Sequence, residues 1–206
     1  PIGQENSFKI NANNNSIHVL GTDHSLDEFE IFGAHNTKNI LAAIAATNVN
    51  GVPAEDSFKS LKYFKGIKRR LELKYEDSST IIIDDFAHHP TAIVAAINSL
   101  SNTQEGSDTF AVVELASNTM KKGSLKSQLS KSFINCKHAW IIDSGDTKWD
   151  IKEAFSKIEN VSVLSDLNDL DSEIKTHITA NDNIVIMTNR SSLTIKESLI
   201  NSLNSI

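Results

Sequence analysis

Apolar residues follow two different patterns along this chain, and the change comes near residue 67. Residues 7–11, 16–20 and 28–32 are short alternating or β-branched runs, split by Asn-rich and Gly-containing turns, and predict antiparallel strands. From Asn36 to about Asn48 the chain is Ala-rich, with Ile40, Leu41, Ile44 and Ala45 on one side of a predicted helix. Gly51 closes that helix, and Pro53 opens a second with Phe58, Leu61 and Phe64 at helical spacing. These few elements offer too little core for a complete domain, so the segment reads as the tail of a larger one.

Beyond Lys68 the pattern becomes strand–helix alternation. Strand-like runs fall near 69–76, 79–84, 109–115, 138–143, 161–165 and 183–188, with helix-like runs near 90–100, 124–134, 149–158, 167–179 and 193–204. This order predicts an α/β fold, Rossmann-like, with a mostly parallel sheet covered by helices on both faces. The first two runs, separated by Asp77 and Ser78, predict an antiparallel hairpin at the entry. The expected domains are therefore 1–66 and 67–206.

Composition narrows the classes. The chain has 206 residues, 39% of them hydrophobic, and no apolar run approaches the roughly 18 residues of a membrane span. The net charge of −6 argues against nucleic-acid binding by the fold as a whole. Its one dense basic cluster is Lys65, Lys68, Arg69 and Arg70, which reads either as a solvated edge or as a phosphate-facing one. The first four residues are uncharged and carry no signal-peptide pattern. The single cysteine, Cys136, has no internal disulfide partner and sits in a helix-like apolar pattern. It reads as core, and a cytoplasmic setting is expected.

Three clusters carry candidate chemistry. Asp84-Asp85-Phe86-Ala87-His88-His89-Pro90 joins the end of an apolar strand to the start of a helix. Carboxylates there could bind a ribose, hold Mg²⁺ or cap the helix. Zinc is disfavoured, because no ligand set at characteristic spacing stands out elsewhere and no metal ligand is assigned. Asn36 and Asn39, three apart at a helix start, could read a purine edge or simply cap the helix. Arg70 could reach phosphate oxygens with its donor fork or pair with Glu72.

Taken together, Gly33 to Asn39, Lys65 to Glu72 and Asp84 to Ile93 resemble the Mur ligase superfamily, the ATP-dependent amide ligases of peptidoglycan synthesis. Ser117-Asn118-Thr119-Met120-Lys121 is similar to a further motif of the branch that joins L-alanyl-γ-D-glutamyl-meso-diaminopimelate to UDP-N-acetylmuramate. The resemblance implies ATP and Mg²⁺ as cofactors, with UDP-N-acetylmuramate and murein tripeptide as substrates. It implies adenine contacts from His35, Asn36 and Asn39, a phosphate contact from Arg70, a ribose contact from Asp85, and His88 in a loop near the phosphates. It also implies that Ser117, Asn118 and Thr119 face the incoming peptide.

Two departures stand out. Leu115-Ala116 replaces the family's Pro-Arg, and 189–194 replaces its Gly-rich stretch, leaving Arg190 as the cation that could compensate. No Gly-x-x-Gly-Lys-Thr/Ser phosphate loop occurs in the 206 residues. The chain is therefore expected to be the carboxy-terminal portion of a longer enzyme, inactive alone, with the Mg²⁺ ligands upstream. The sister enzyme that adds L-alanine, a non-catalytic member and a plain Rossmann-like binding domain are the alternatives.

Overall fold

The computed structural model describes residues 7–11, 16–27, 29, 34–77, 80–100, 107–143, 145–178 and 182–205. They form two compact units, Pro1–Ile67 and Lys68–Ile206. Among the described residues, no helix is long and apolar enough to cross a membrane.

In the first unit, β1 (Phe8–Ile10), β2 (Ser16–Val19) and β3 (Thr22–Ser25) form an antiparallel meander. Two residues, Leu20 and Gly21, link β2 to β3 with φ of 49° and 93°. Left-handed backbone at both central positions matches the right-handed twist of the flanking strands. The strand at Thr22–Ser25 is one the sequence pattern does not predict, and most of the 28–32 run expected as a strand falls outside the described residues. Helices α1 (Ala34–Val49) and α2 (Ala54–Ser60) follow. Ile40, Ile44 and Ala54 bury against Ile17, Val19 and Leu26 to make this unit's core. Phe64 does not join the α2 stripe: a 3-10 turn at Leu61–Tyr63 ends the helix and leaves Phe64 exposed.

The second unit is a six-stranded sheet. Its strands are β4 (Glu72–Glu76), β5 (Thr80–Asp85), β6 (Thr109–Glu114), β7 (His138–Ile142), β8 (Val161–Leu164) and β9 (Asp182–Met187), in the order β4-β5-β9-β6-β7-β8. Only β4 runs antiparallel, as the expected hairpin partner of β5. Every residue of β5 and β9 is buried, as parallel strands covered on both faces require.

Side chains on alternate strand positions point to opposite faces. Ile82, Phe110, Val112, Ile184 and Ile186 pack under α7 (Asp169–His177) and α8 (Leu193–Leu203). The other face receives α3 (Pro90–Leu100), whose Ile93, Ile97 and Leu100 are fully buried and which packs on β6 and β9.

One expected helix is not continuous. Residues 124–134 hold only α5 (Lys126–Leu129) followed by turns, preceded by an unexpected α4 (Asn118–Lys122). Gly123 explains the break: it ends α4 at φ 72°, and a Cβ there would sit 2.7 Å from the Trp149 ring. Cys136 lies in those turns rather than in a helix, buried as expected, with its thiol donating to the Phe133 carbonyl at 3.1 Å. The last helix of the alternation before β8, α6 (Ile151–Phe155), is capped by Asp150 accepting from the Glu153 amide at 2.8 Å.

Candidate active site

Strands β5 and β9 are parallel neighbours, yet β5 feeds α3 on one face while β9 feeds α8 on the other. Connections that leave adjacent strand ends in opposite directions open a crevice at the carboxyl edge, where ligands of open α/β sheets bind. The register brings Asp84 beside Ile186 and Asp85 beside Met187, with Glu114 at the corresponding end of β6. The Asp84 to His89 cluster therefore sits at this crevice.

Asp84 and Asp85 are 1% and 5% exposed, and both are engaged. Asp85 accepts from the Ala87 amide at 2.7 Å with one oxygen and from the Leu71 amide at 2.9 Å with the other. Asp84 accepts from the Ser192 hydroxyl at 2.6 Å and faces Arg69 Nε at 3.5 Å, a charge pair rather than a hydrogen bond. Both stand several residues before α3. That helix starts after His89, whose carbonyl accepts from Ala92 and Ile93.

What the two aspartates hold is the turn before β4. Arg69 and Leu71 have φ of 58° and 49°, conformations that non-glycine residues adopt at a cost of about 1–3 kcal/mol each. The strand expected from residue 69 therefore begins only at Glu72. Four contacts fix this strained turn. Leu71 donates to Asp85, the Arg69 amide donates to Glu72 at 2.7 Å, the Arg69 carbonyl accepts from Phe86 at 2.9 Å, and the Arg69 guanidinium donates to the Thr188 carbonyl.

Burial alone would raise the Glu72 pKa. The Lys74 hydrogen bond, the Arg69 amide and nearby lysine charge outweigh it and hold Glu72 below its ordinary value. Glu72 is thus spent on Arg69 and Lys74, and Arg70 has no carboxylate partner among the described residues. Arg70 is exposed, with its guanidinium carbon 5.9 Å from the Phe86 ring centre. Adjacent arginines have divided the work: Arg69 is a brace and Arg70 is presented.

His88 lies beside them, half-buried, its Nδ1 donating to the Phe86 carbonyl at 2.8 Å and its ring edge-on to Phe86. That tautomer leaves the lone pair on Nε2. In the first unit, Asn39 donates to Asn36 at 3.3 Å, which confirms that the two amides share a face of α1, with His35 one residue before.

Ser117 is buried and caps α4, accepting from the Met120 amide at 3.3 Å, while Asn118 and Thr119 are exposed. Leu115 and Ala116 are buried in the core. Arg190 reaches the same strand end, donating to Glu114 at 3.1 Å, and Glu114 also accepts from the Thr188 hydroxyl. In the sequence Arg69 stands out only as a member of the basic cluster and Ser192 only within the 189–194 departure, while Glu114 and Thr188 belong to no motif. Only the strand order, with β9 inserted between β5 and β6, brings them together.

The carboxylates of this edge do not fit an Mg²⁺ site. Asp84 and Asp85 are buried and already neutralised or hydrogen-bonded, whereas Mg²⁺ prefers carboxylates that leave room for its waters.

A family model for the Mur ligase glutamate ligase domain matches residues 69–190, more than half of the chain. The chain belongs to the Mur ligase family. These enzymes are ATP-dependent amide ligases. Over 166 residues it is 33% identical to the UDP-N-acetylmuramate–L-alanyl-γ-D-glutamyl-meso-2,6-diaminoheptandioate ligase of Haemophilus influenzae, covering 80% of this chain and 37% of that one.

A UDP-N-acetylmuramate–L-alanine ligase of Clostridium kluyveri is 40% identical over 70 residues, 34% of this chain and 15% of the relative. Among solved structures, a murein peptide ligase from Psychrobacter arcticus superposes with a TM-score of 0.67 and 31% identity, over 96% of this chain and 44% of that one. The chain thus spans less than half the length of these Mur ligases.

Proposed function

We propose that the complete polypeptide carrying this chain is an ATP-dependent ligase that joins murein tripeptide to UDP-N-acetylmuramate in peptidoglycan recycling. The observation that carries the reading is the pinned turn at the switch-point crevice, which presents Arg70 without a carboxylate partner among the described residues. The names of the Haemophilus and Psychrobacter relatives support the substrate assignment.

In this reading the muramyl carboxylate takes the γ-phosphoryl group of ATP, releasing ADP and leaving an acyl phosphate. The tripeptide amine attacks the acyl carbon, loses a proton, and expels phosphate as the amide forms. Negative charge grows on the phosphoryl oxygens during transfer, so a fixed guanidinium is the useful group. Arg70 supplies the guanidinium from a turn whose backbone is pinned, and His88 Nε2 supplies an acceptor beside it. Mg²⁺ would neutralise phosphate charge when bound, and its ligands lie outside this edge.

Asp85 contacts the ribose in the same reading. The Leu71 and Ala87 amides, one on each oxygen, hold its carboxylate in place at the crevice. Asn36, Asn39 and His35 contact adenine. Ser117 keeps its hydroxyl proton as a donor while capping α4, and joins Asn118 and Thr119 in facing the peptide.

The 70-residue match at 40% identity favours a second reading, in which the amine is L-alanine. Mass spectrometry of the complete polypeptide with ATP, UDP-N-acetylmuramate and either amine separates the two. We expect the UDP-linked tripeptide product and no alanyl product. The reverse outcome selects the second reading, and no product with either amine refutes both.

A further inference from the structure

We propose that His138, Glu173 and His177 form a zinc-binding clip on the second unit, at the edge of the sheet opposite the crevice. His138 opens β7, while Glu173 and His177 lie one turn apart near the end of α7. These are the amino-terminal end of a parallel strand and the helix end that leads back to β9. The site is therefore separate from the Asp84–Asp85 edge and from every residue of the proposed ligase chemistry.

One ligand atom from each side chain lies within 4.8 Å of the other two. Zinc bonds of roughly 2.1 Å in a tetrahedral site place ligand atoms about 3.4 Å apart. Glu173 and His177 are 32% and 35% exposed, so these two side chains have room to adjust around the buried His138.

The surroundings already orient the ligands. His177 Nδ1 donates to the Glu173 carbonyl at 2.9 Å, which leaves its lone pair on Nε2. His138 Nε2 is held by the Ser162 hydroxyl at 2.9 Å, and Trp140 donates to one Glu173 oxygen at 3.2 Å. Hydrogen bonds to the far atom of a ligating side chain are the usual outer support of metal-bound histidine and carboxylate. The two imidazole ring centres lie 4.3 Å apart with their planes tilted by 37°. Two imidazoles and one carboxylate, with the fourth position open to water, are a donor set suited to zinc.

The sequence hid this site because Glu173-x-x-x-His177 carries only two ligands, and the third comes from another element 35 residues earlier. Zinc bound here would clip α7 to β7.

The test is titration of metal-free protein with ZnCl₂ against a competing chromophoric chelator, with Co²⁺ absorption as a probe of coordination. We expect one equivalent bound, visible bands of a four-coordinate Co²⁺ site, and at least about tenfold weaker zinc affinity in both His177→Ala and Glu173→Gln. Both positions are partly exposed, and circular dichroism checks that the variants stay folded. Wild-type affinity in either folded variant, or no zinc bound by the unsubstituted protein, overturns the proposal.

Discussion

Arg69 and Arg70 are chemically identical neighbours with opposite fates, and that difference sets what each substitution should do. Arg69 faces the buried Asp84 and donates to Thr188. Arg69→Ala leaves a buried carboxylate without its counter-charge, which costs about 3 kcal/mol. Urea unfolding of the second unit reads that loss as a lower midpoint. Glu72 gives a pH signature for the same turn. Its folded pKa lies below the ordinary 4.5, so its stabilisation is present above that value and is lost as pH falls through the folded pKa.

Urea midpoints measured from pH 6 down to 3 should therefore fall, and Glu72→Gln should flatten part of that slope. Cys136 is the inert counterpart. Burial pushes its thiol up to about 12, so a thiol reagent at pH 8 should label it only in the unfolded chain. Sequence reading found Arg70 because a family motif carries it. It could not see the bracing role of Arg69, which depends on Thr188 lying 119 residues away.

At the scale of elements, legibility followed the apolar pattern. Strands β5, β6, β7 and β9 are continuous apolar runs and lie where the sequence placed them. β3 is Thr-Asp-His-Ser, with no apolar alternation, and its turn uses Leu20 where Asn or Gly is usual. Nothing local announces it. The same holds for α4 and α5, whose break depends on the Trp149 ring packing over Gly123 and on Trp149 Nε1 donating to the Met120 carbonyl at 2.8 Å. Gly123→Ala meets both a left-handed backbone and that ring. We expect a loss of about 2 kcal/mol or more, read as a lower thermal midpoint, and a shift in Trp149 fluorescence.

At the scale of the whole molecule, the strand order does what no single motif can. Inserting β9 between β5 and β6 sends neighbouring connections to opposite faces and creates the crevice. The alternation of strands and helices was readable, but the order was not, because alternation alone does not say where the last strand enters. The 206 residues contain no phosphate loop. This chain alone, given ATP and both co-substrates, should therefore release phosphate no faster than a blank.

The central claim is that the pinned turn exists to present Arg70 to a nucleotide. Calorimetric titration of ATP into the complete polypeptide, unsubstituted and as Arg70→Ala, tests it most directly. A charge-assisted contact of about 1.5–3 kcal/mol predicts affinity at least tenfold weaker in the variant, with the thermal midpoint unchanged. Equal affinity in the two proteins would contradict the account.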